Sequence, residues 1–255
     1  MMKWIVIILP RAMPRLYFPD DIPAHGECML SEAQTHHVAH VLRLAAGDAV
    51  TLFDGRGTEY PATIVRLGKR HTVVRVAGGR MVDRESPLAV TLVQGLSSGE
   101  RMDYTIQKAV ELGVAYIQPV TAQRSVVRLK NERAEKRVAH WQYVVIAACE
   151  QCGRNRVPEV APLLSFRDWL ATLPADGAEA RWMLSPQADR RLGETARPTA
   201  GVTLLAGPEG GFDDGEIALA QAHRFAALKL GPRVLRTETA ALAALAVLQA
   251  RWGDF

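Results

Sequence analysis

Apolar and polar positions change their period once along this chain, close to residue 85. From Arg15 to about Arg84 the apolar runs are short and partly alternating: Ala49 to Phe53, Glu59 to Arg66 and His71 to Ala77. Asp54-Gly55-Arg56-Gly57 and Gly68-Lys69 divide them, which is the turn chemistry of antiparallel strands, and a small barrel is their natural closure. Ser31 to Leu44 reads as a short helix within that region. Beyond Asp83-Arg84-Glu85-Ser86-Pro87, Leu88 to Gln94 and Ala115 to Val120 read as buried strands around an amphipathic helix over Arg101 to Leu112. Asn131 to Glu150 is a long helix, and Trp182 to Leu184, Val202 to Ala206 and Ala226 to Leu230 supply further strands. Asp213-Asp214-Gly215-Glu216 carries a capping-box pattern at the start of the helix between the last two. Strands alternating with helices predict an open parallel sheet covered on both faces. The final helix, Thr239 to Trp252, is apolar nearly all round, so it must be buried on several sides, by its own sheet or by another subunit.

Two loops stand out against this pattern. Leu204-Leu205-Ala206-Gly207-Pro208-Glu209-Gly210-Gly211 and Leu230-Gly231-Pro232-Arg233-Val234-Leu235-Arg236-Thr237-Glu238-Thr239 each follow an apolar strand and run into a helix. Glycine lets the backbone approach a bound molecule, so two such loops at strand ends form one small-molecule cleft. Neither is a nucleotide fingerprint: the Lys-Ser/Thr of a P-loop is missing, and the glycine spacing is not that of a dinucleotide turn followed by an acidic residue, which argues against a nicotinamide-dependent oxidoreductase.

Composition narrows the class. The 255 residues suffice for one large or two modest domains, and a net charge of +4 permits an RNA partner without requiring one. This is the composition of a soluble cytoplasmic protein. Three cysteines, Cys28, Cys149 and Cys152, form no repeated metal-ligand pattern. Cys149 and Cys152 have redox spacing but fall at the end of a helix, not in a thioredoxin-like turn. His36, His37 and His40 invite a zinc reading, with His37 and His40 side by side on one helix face, yet no cysteine or acidic ligand stands close in sequence. A solvated or RNA-facing surface is the better reading, and no metal is expected. Trp4 to Leu9 is an apolar run too short for a secretory segment and far short of the roughly twenty residues of a membrane span.

Longer motifs carry a resemblance. Gly207-Pro208-Glu209-Gly210-Gly211-Phe212, together with Leu230 to Ala240, resembles the signature of the bacterial family that methylates N3 of a uridine in 16S ribosomal RNA of the small subunit. Gly99-Glu100-Arg101-Met102-Asp103, Gln107 to Gly113, and Glu150-Gln151-Cys152-Gly153-Arg154-Asn155-Arg156-Val157-Pro158-Glu159 resemble the same family, and the likeness runs from Met13 onward. Family members begin near that methionine, so residues 1–12 are expected to be a mis-assigned extension. The resemblance implies a PUA-like RNA-binding β-barrel over 13–85 and, over 86–255, a SPOUT-type parallel sheet with a deep trefoil knot. It implies S-adenosyl-L-methionine as cofactor, a homodimer, and no membrane partner.

Site residues follow from the same resemblance. The cofactor is expected against Leu184-Ser185-Pro186, Leu205 to Gly211 and Leu230 to Thr239, with Leu184, Leu205, Gly207, Pro208, Glu209, Gly210, Gly211, Leu230, Gly231, Val234, Leu235, Arg236, Thr237 and Thr239 as its contacts. N3 of uracil is a poor nucleophile until its proton leaves, so the chemistry needs a cation beside the uracil carbonyls and a proton acceptor. Arg154 and Arg236 are the candidate cations and Glu150 and Glu238 the candidate bases. Arg15, Arg43 and Arg56 on the barrel, with Arg101, Lys108, Arg124, Arg128 and Arg156 beside the cleft, are candidate RNA contacts. A non-catalytic RNA-binding protein, or a knotted methyltransferase acting on another nucleotide, are the alternatives.

Overall fold

The computed structural model describes residues 13–129 and 131–255. The apolar run at Trp4 to Leu9 and the expected extension over residues 1–12 lie outside the described residues. The chain forms two compact units, one running to Arg84 and including Gly153–Arg156, the other comprising Glu85–Cys152 and Val157–Phe255.

The N-terminal unit contains β1 (Arg15–Tyr17), β2 (Gly26–Leu30), α1 (Glu32–His36), β3 (Ala49–Phe53), β4 (Thr58–Leu67), β5 (Thr72–Val76) and β6 (Arg80–Met81). The strands order as β1-β3-β4-β5-β2, with β6 on β4. All pairings are antiparallel except β1 with β3. Alternate strand residues, Leu16, Leu30, Val50, Leu52, Ile64 and Val74, meet in one core. The expected helix over Ser31 to Leu44 divides: Ser31 caps α1 with a capping box, and His37–Val41 continues as a wider turn that puts Val38 into the core. In that wider geometry it is His36 and His40 whose rings meet, at 4.7 Å, and not His37 and His40.

A single buried carboxylate organises this unit. Glu59 is 2% exposed and accepts from Arg15 at 2.9 Å, Arg80 at 2.7 Å and Arg84 at 3.0 Å. Asn155 joins it, donating to Glu59 at 3.3 Å and to Val82 O at 2.9 Å, while Arg15 also donates to the Asn155 side chain. Gly57 N–H donates to Asn155 O, and Arg84 to Gly153 O. These bonds explain why the Gly-Arg-Asn-Arg segment belongs to the N-terminal unit although it lies about seventy residues beyond that unit's other strands.

The second unit contains β7 (Val90–Gly95), α2 (Gly99–Glu111), β8 (Tyr116–Thr121), α3 (Glu132–Cys152), β9 (Glu159–Val160), β10 (Leu164–Ser165), α4 (Phe166–Thr172), β11 (Ala180–Leu184), β12 (Val202–Ala206), α5 (Asp214–Ala222), β13 (Ala226–Leu228) and α6 (Thr237–Trp252). Its sheet is wholly parallel in the order β10-β8-β7-β12-β11-β13, with β9 on β8. β12 is buried along its whole length, as a strand covered on both faces must be. Asp213 and Glu216 form the capping box of α5. Along α6, Ala241, Ala244, Leu245 and Leu248 are buried, whereas Leu242, Ala243 and Ala246 are half-buried and Val247 is exposed. Gln249 anchors this helix by donating to Leu112 O at 3.1 Å and accepting from Ser86. Cys149, buried, and Cys152, half-buried, lie on α3, and neither is in a disulfide.

Burial opposes ionisation of Glu59, but hydrogen bonds from Arg84, Arg15, Arg80 and Asn155 outweigh it and hold the carboxyl at about 2, against an ordinary value of 4.5. A depressed carboxylate stabilises the fold above its unfolded pKa, and that contribution disappears as pH falls through the folded value. Urea unfolding is therefore expected to find Glu59→Gln less stable by about 3 kcal/mol at pH 7. The gap should narrow below pH 4.5 and close near pH 2; a gap that stays constant with pH would contradict the ionic role.

Candidate active site

The loops at the carboxyl ends of β11, β12 and β13 meet because these three strands are parallel neighbours, so their chain directions place every following loop at one sheet edge. Between them lies a cleft of about 630 Å³, within the range of small-molecule sites. Met183 to Gln187 form one wall, Ala206 to Phe212 a second, and Leu228 to Gly231 with Arg233 to Glu238 a third. All three segments expected to hold a cofactor line this one cleft.

Several long-range contacts hold the walls in place. Gly95, the last residue of β7, runs so close to the second loop that a Cβ on it would stand 2.5 Å from Pro208. The adjacent Gln94, fully buried, donates to Thr237 Oγ1 at 3.0 Å and reaches Gly207 O at 3.5 Å, and Thr237 donates to that same carbonyl. Glu209 lines the cleft and is tied to the start of α2. It accepts from Ser98 N–H at 2.9 Å, the Ser98 hydroxyl at 3.1 Å and Arg101 at 3.2 Å. Burial opposes its ionisation, but the Ser98 N–H, its own N–H, the Ser98 hydroxyl and Arg101 together hold its carboxyl below the usual range. Glu209 thereby joins the second loop to the start of α2. On the third loop, Lys229 pairs with the Arg190–Leu192 backbone, and Arg251 from α6 donates to Gly193 and Thr195 carbonyls in the same stretch.

The cleft's charge is mostly positive. Arg101, Arg124, Arg233 and Arg236 reach it, and Arg124 also donates to Gly210 and Phe212 carbonyls. Glu238 lines it too, with Oε2 buried and without a hydrogen-bond partner. A buried carboxylate oxygen in that state is an acceptor available to a bound molecule. At Gly231 a Cβ would meet nothing within 4 Å, so the absent side chain leaves open space in the third wall.

The expected contacts divide accordingly. Leu184, Gly207, Pro208, Glu209, Gly210, Gly211, Leu230, Gly231, Val234, Leu235, Arg236 and Thr237 line the cleft, whereas Leu205 and Thr239 do not. Leu205 sits inside β12 with its side chain in the core, and Thr239, one turn into α6, is exposed. Glu150 lies on α3 and does not line the cleft, and Lys108 pairs with Glu111 on α2. Arg15, Arg43, Arg56, Arg154 and Arg156 belong to the N-terminal unit. Arg43 and Arg156 are exposed there, and Arg56 is exposed beside Asp21 and Asp54. Arg154 is 6% exposed, and Arg15 is engaged by Glu59, which withdraws it from phosphate contact. Among the described residues no group of three or more His, Cys, Asp or Glu side chains is placed to hold a metal, and no helix is long and apolar enough to cross a membrane. Gln94 and Ser98 were not singled out by sequence, because their partners lie over a hundred residues away.

Comparison with known proteins agrees with this geometry. The sequence model of an RNA methyltransferase domain matches residues 84–249, and that of an RNA methyltransferase PUA domain matches residues 30–77. The ribosomal RNA small subunit methyltransferase E of Buchnera aphidicola (Schizaphis graminum) is 32% identical over 246 residues, covering 96% of this chain and 99% of its own. The crystal structure of a ribosomal RNA small subunit methyltransferase E from Neisseria gonorrhoeae, bound to S-adenosyl methionine, superposes with a TM-score of 0.91 at 43% identity, over 95% of this chain and 99% of that one. A Legionella pneumophila methyltransferase solved with the same bound cofactor gives 0.90 at 40% identity, over 95% and 99%. With its PUA-like N-terminal domain and its parallel-sheet, SPOUT-type C-terminal domain, the chain belongs to the RNA methyltransferase family of the ribosomal RNA small subunit methyltransferase E proteins.

Proposed function

We propose that this protein transfers a methyl group from S-adenosyl methionine to N3 of a uridine in 16S ribosomal RNA of the small subunit, acting in the cytoplasm as a homodimer whose sheet is threaded as a trefoil knot. The observation that carries the reading is the three-walled cleft, built from the same loops that bear the family motifs. The residues present fit the cofactor. The open space at Gly231 and the main-chain groups of three loops suit a ligand held chiefly by backbone. The apolar side of α6 that its own unit leaves half-buried at Leu242, Ala243 and Ala246 and exposed at Val247 supports a second copy as its cover.

The cofactor supplies a methyl group already activated by its sulfonium. The chain's own residues must orient the base and remove its N3 proton. Arg236, at the mouth of the third wall, offers a fixed fork of guanidinium donors to the uracil carbonyls, where negative charge develops. Glu238 is the acceptor for the N3 proton, since it faces the cleft and Glu150 does not. Arg154 serves as the second candidate cation, and Arg43, Arg56, Arg101, Arg124 and Arg156 serve as phosphate contacts. The target base must leave its stack to reach the cleft.

Small subunits from a strain lacking the modification, incubated with labelled cofactor, should acquire label on N3 of one uridine. Label on carbon 5 or on a ribose oxygen would overturn the assignment. Arg236→Ala and Glu238→Gln should each lower kcat by about 10²- to 10³-fold with cofactor affinity nearly unchanged. Gly231→Val probes the donor's place: the side chain enters empty space, so thermal unfolding should shift little, while calorimetry should show cofactor affinity at least about tenfold weaker. Unchanged affinity in that variant would place the donor elsewhere.

A further inference from the structure

Gln94 is one of the fully buried polar side chains of this unit that the methylation chemistry leaves unused, and it is the one that reaches two walls of the cleft. Gln94 is 0% exposed at the end of β7, and its Nε2 reaches three acceptors: Gly95 O at 3.0 Å, Thr237 Oγ1 at 3.0 Å and Gly207 O at 3.5 Å. Gly207 lies in the second wall of the cleft and Thr237 in the third. Thr237 completes a relay by donating its own hydroxyl proton to Gly207 O. Its Oγ1 is thus acceptor toward the strand and donor toward the second loop, a double role that a hydroxyl can fill and a methyl cannot.

Packing alone does not account for a glutamine here. Its Oε1 is buried without a partner, a state that costs about 1–3 kcal/mol and that a leucine or methionine would avoid. What the carboxamide adds is placement of N–H groups. Contact between Gly95 and Pro208 presses the second loop onto β7, where even a Cβ would not fit, but it exerts no hold on the third loop. Among the described residues, the relay through Gln94 and Thr237 joins all three segments. Resting on the reading of the cleft as the donor site, we infer that Gln94 is a positioning residue for the methyl donor, whose carboxamide, acting through Thr237, sets the separation of the second and third walls. Thr237 contributes to the site by this link.

The test is calorimetric titration of the whole chain with S-adenosyl methionine, together with unfolding in its absence and methylation kinetics at saturating donor. Gln94→Met and Thr237→Val should each raise Kd on the order of 30-fold. Both should keep kcat within about threefold of the wild-type value once donor saturates, which a general loss of structure would not do. Thr237→Ser retains the hydroxyl and should restore Kd to within about twofold. Because the two residues form one relay, the double variant should be about as weak as the worse single variant, not the product of both. If Gln94→Met fails to fold, Gln94→Asn, which keeps a carboxamide but shortens its reach to Thr237, takes its place and should weaken binding likewise. Wild-type binding with an unchanged Kd in Thr237→Val, or losses that multiply in the double variant, overturns the relay and leaves the donor site standing. A wild-type chain that binds no donor overturns both.

Discussion

Three parallel strands that end at one edge of a sheet bring their following loops together, and everything proposed for this protein depends on those loops being held at a fixed spacing. Backbone segments repel as readily as they attract, since each presents both N–H and C=O groups. The spacing is therefore set by side chains that reach between segments. Gln94 and Thr237 bridge β7 with the second and third walls, while Glu209 fastens the second wall to the start of α2. Lys229 and Arg251 secure the stretch that follows the first wall. The cleft's interior can then remain largely main chain, which suits a ligand with many hydrogen-bonding edges and leaves Arg236 and Glu238 for the proposed chemistry.

The N-terminal unit uses the same device with charge. One carboxylate, Glu59, gathers Arg15, Arg80, Arg84 and Asn155 from three separate stretches of chain. A buried ion must have its partners supplied or it destabilises the fold, so this cluster defines which segments belong together as firmly as the apolar core does. It also accounts for a motif. In Gly153-Arg154-Asn155-Arg156, Asn155 has a structural assignment, whereas Arg154 is the member proposed for the chemistry.

What was legible in the sequence was what repeats locally. The strands from Ala49 to Phe53 and from Val202 to Ala206, the Asp213–Glu216 capping box and the three cleft loops all follow from neighbouring residues, and the structure places them as expected. Errors arose where geometry departs from a regular period. The widening after His36 changed which histidines meet, and the burial of Leu205 follows from its place inside β12, one residue before the loop opens. Arg15, expected as an RNA contact, pairs instead with Glu59, which nothing nearby in sequence announces. Gln94, Glu59 and Asn155 were illegible for one common reason: each acts on partners tens to more than a hundred residues away, and such pairings leave no periodic trace in a single sequence.

The central claim is that main-chain groups at the carboxyl edge of β11, β12 and β13 form the seat of the methyl donor. A crystal structure of this protein grown with S-adenosyl methionine tests it most directly. The account predicts the donor between Met183–Gln187, Ala206–Phe212 and Leu228–Glu238, with its methyl group directed toward Arg236 and Glu238. Donor density at any other surface, with this cleft left to solvent, would contradict it.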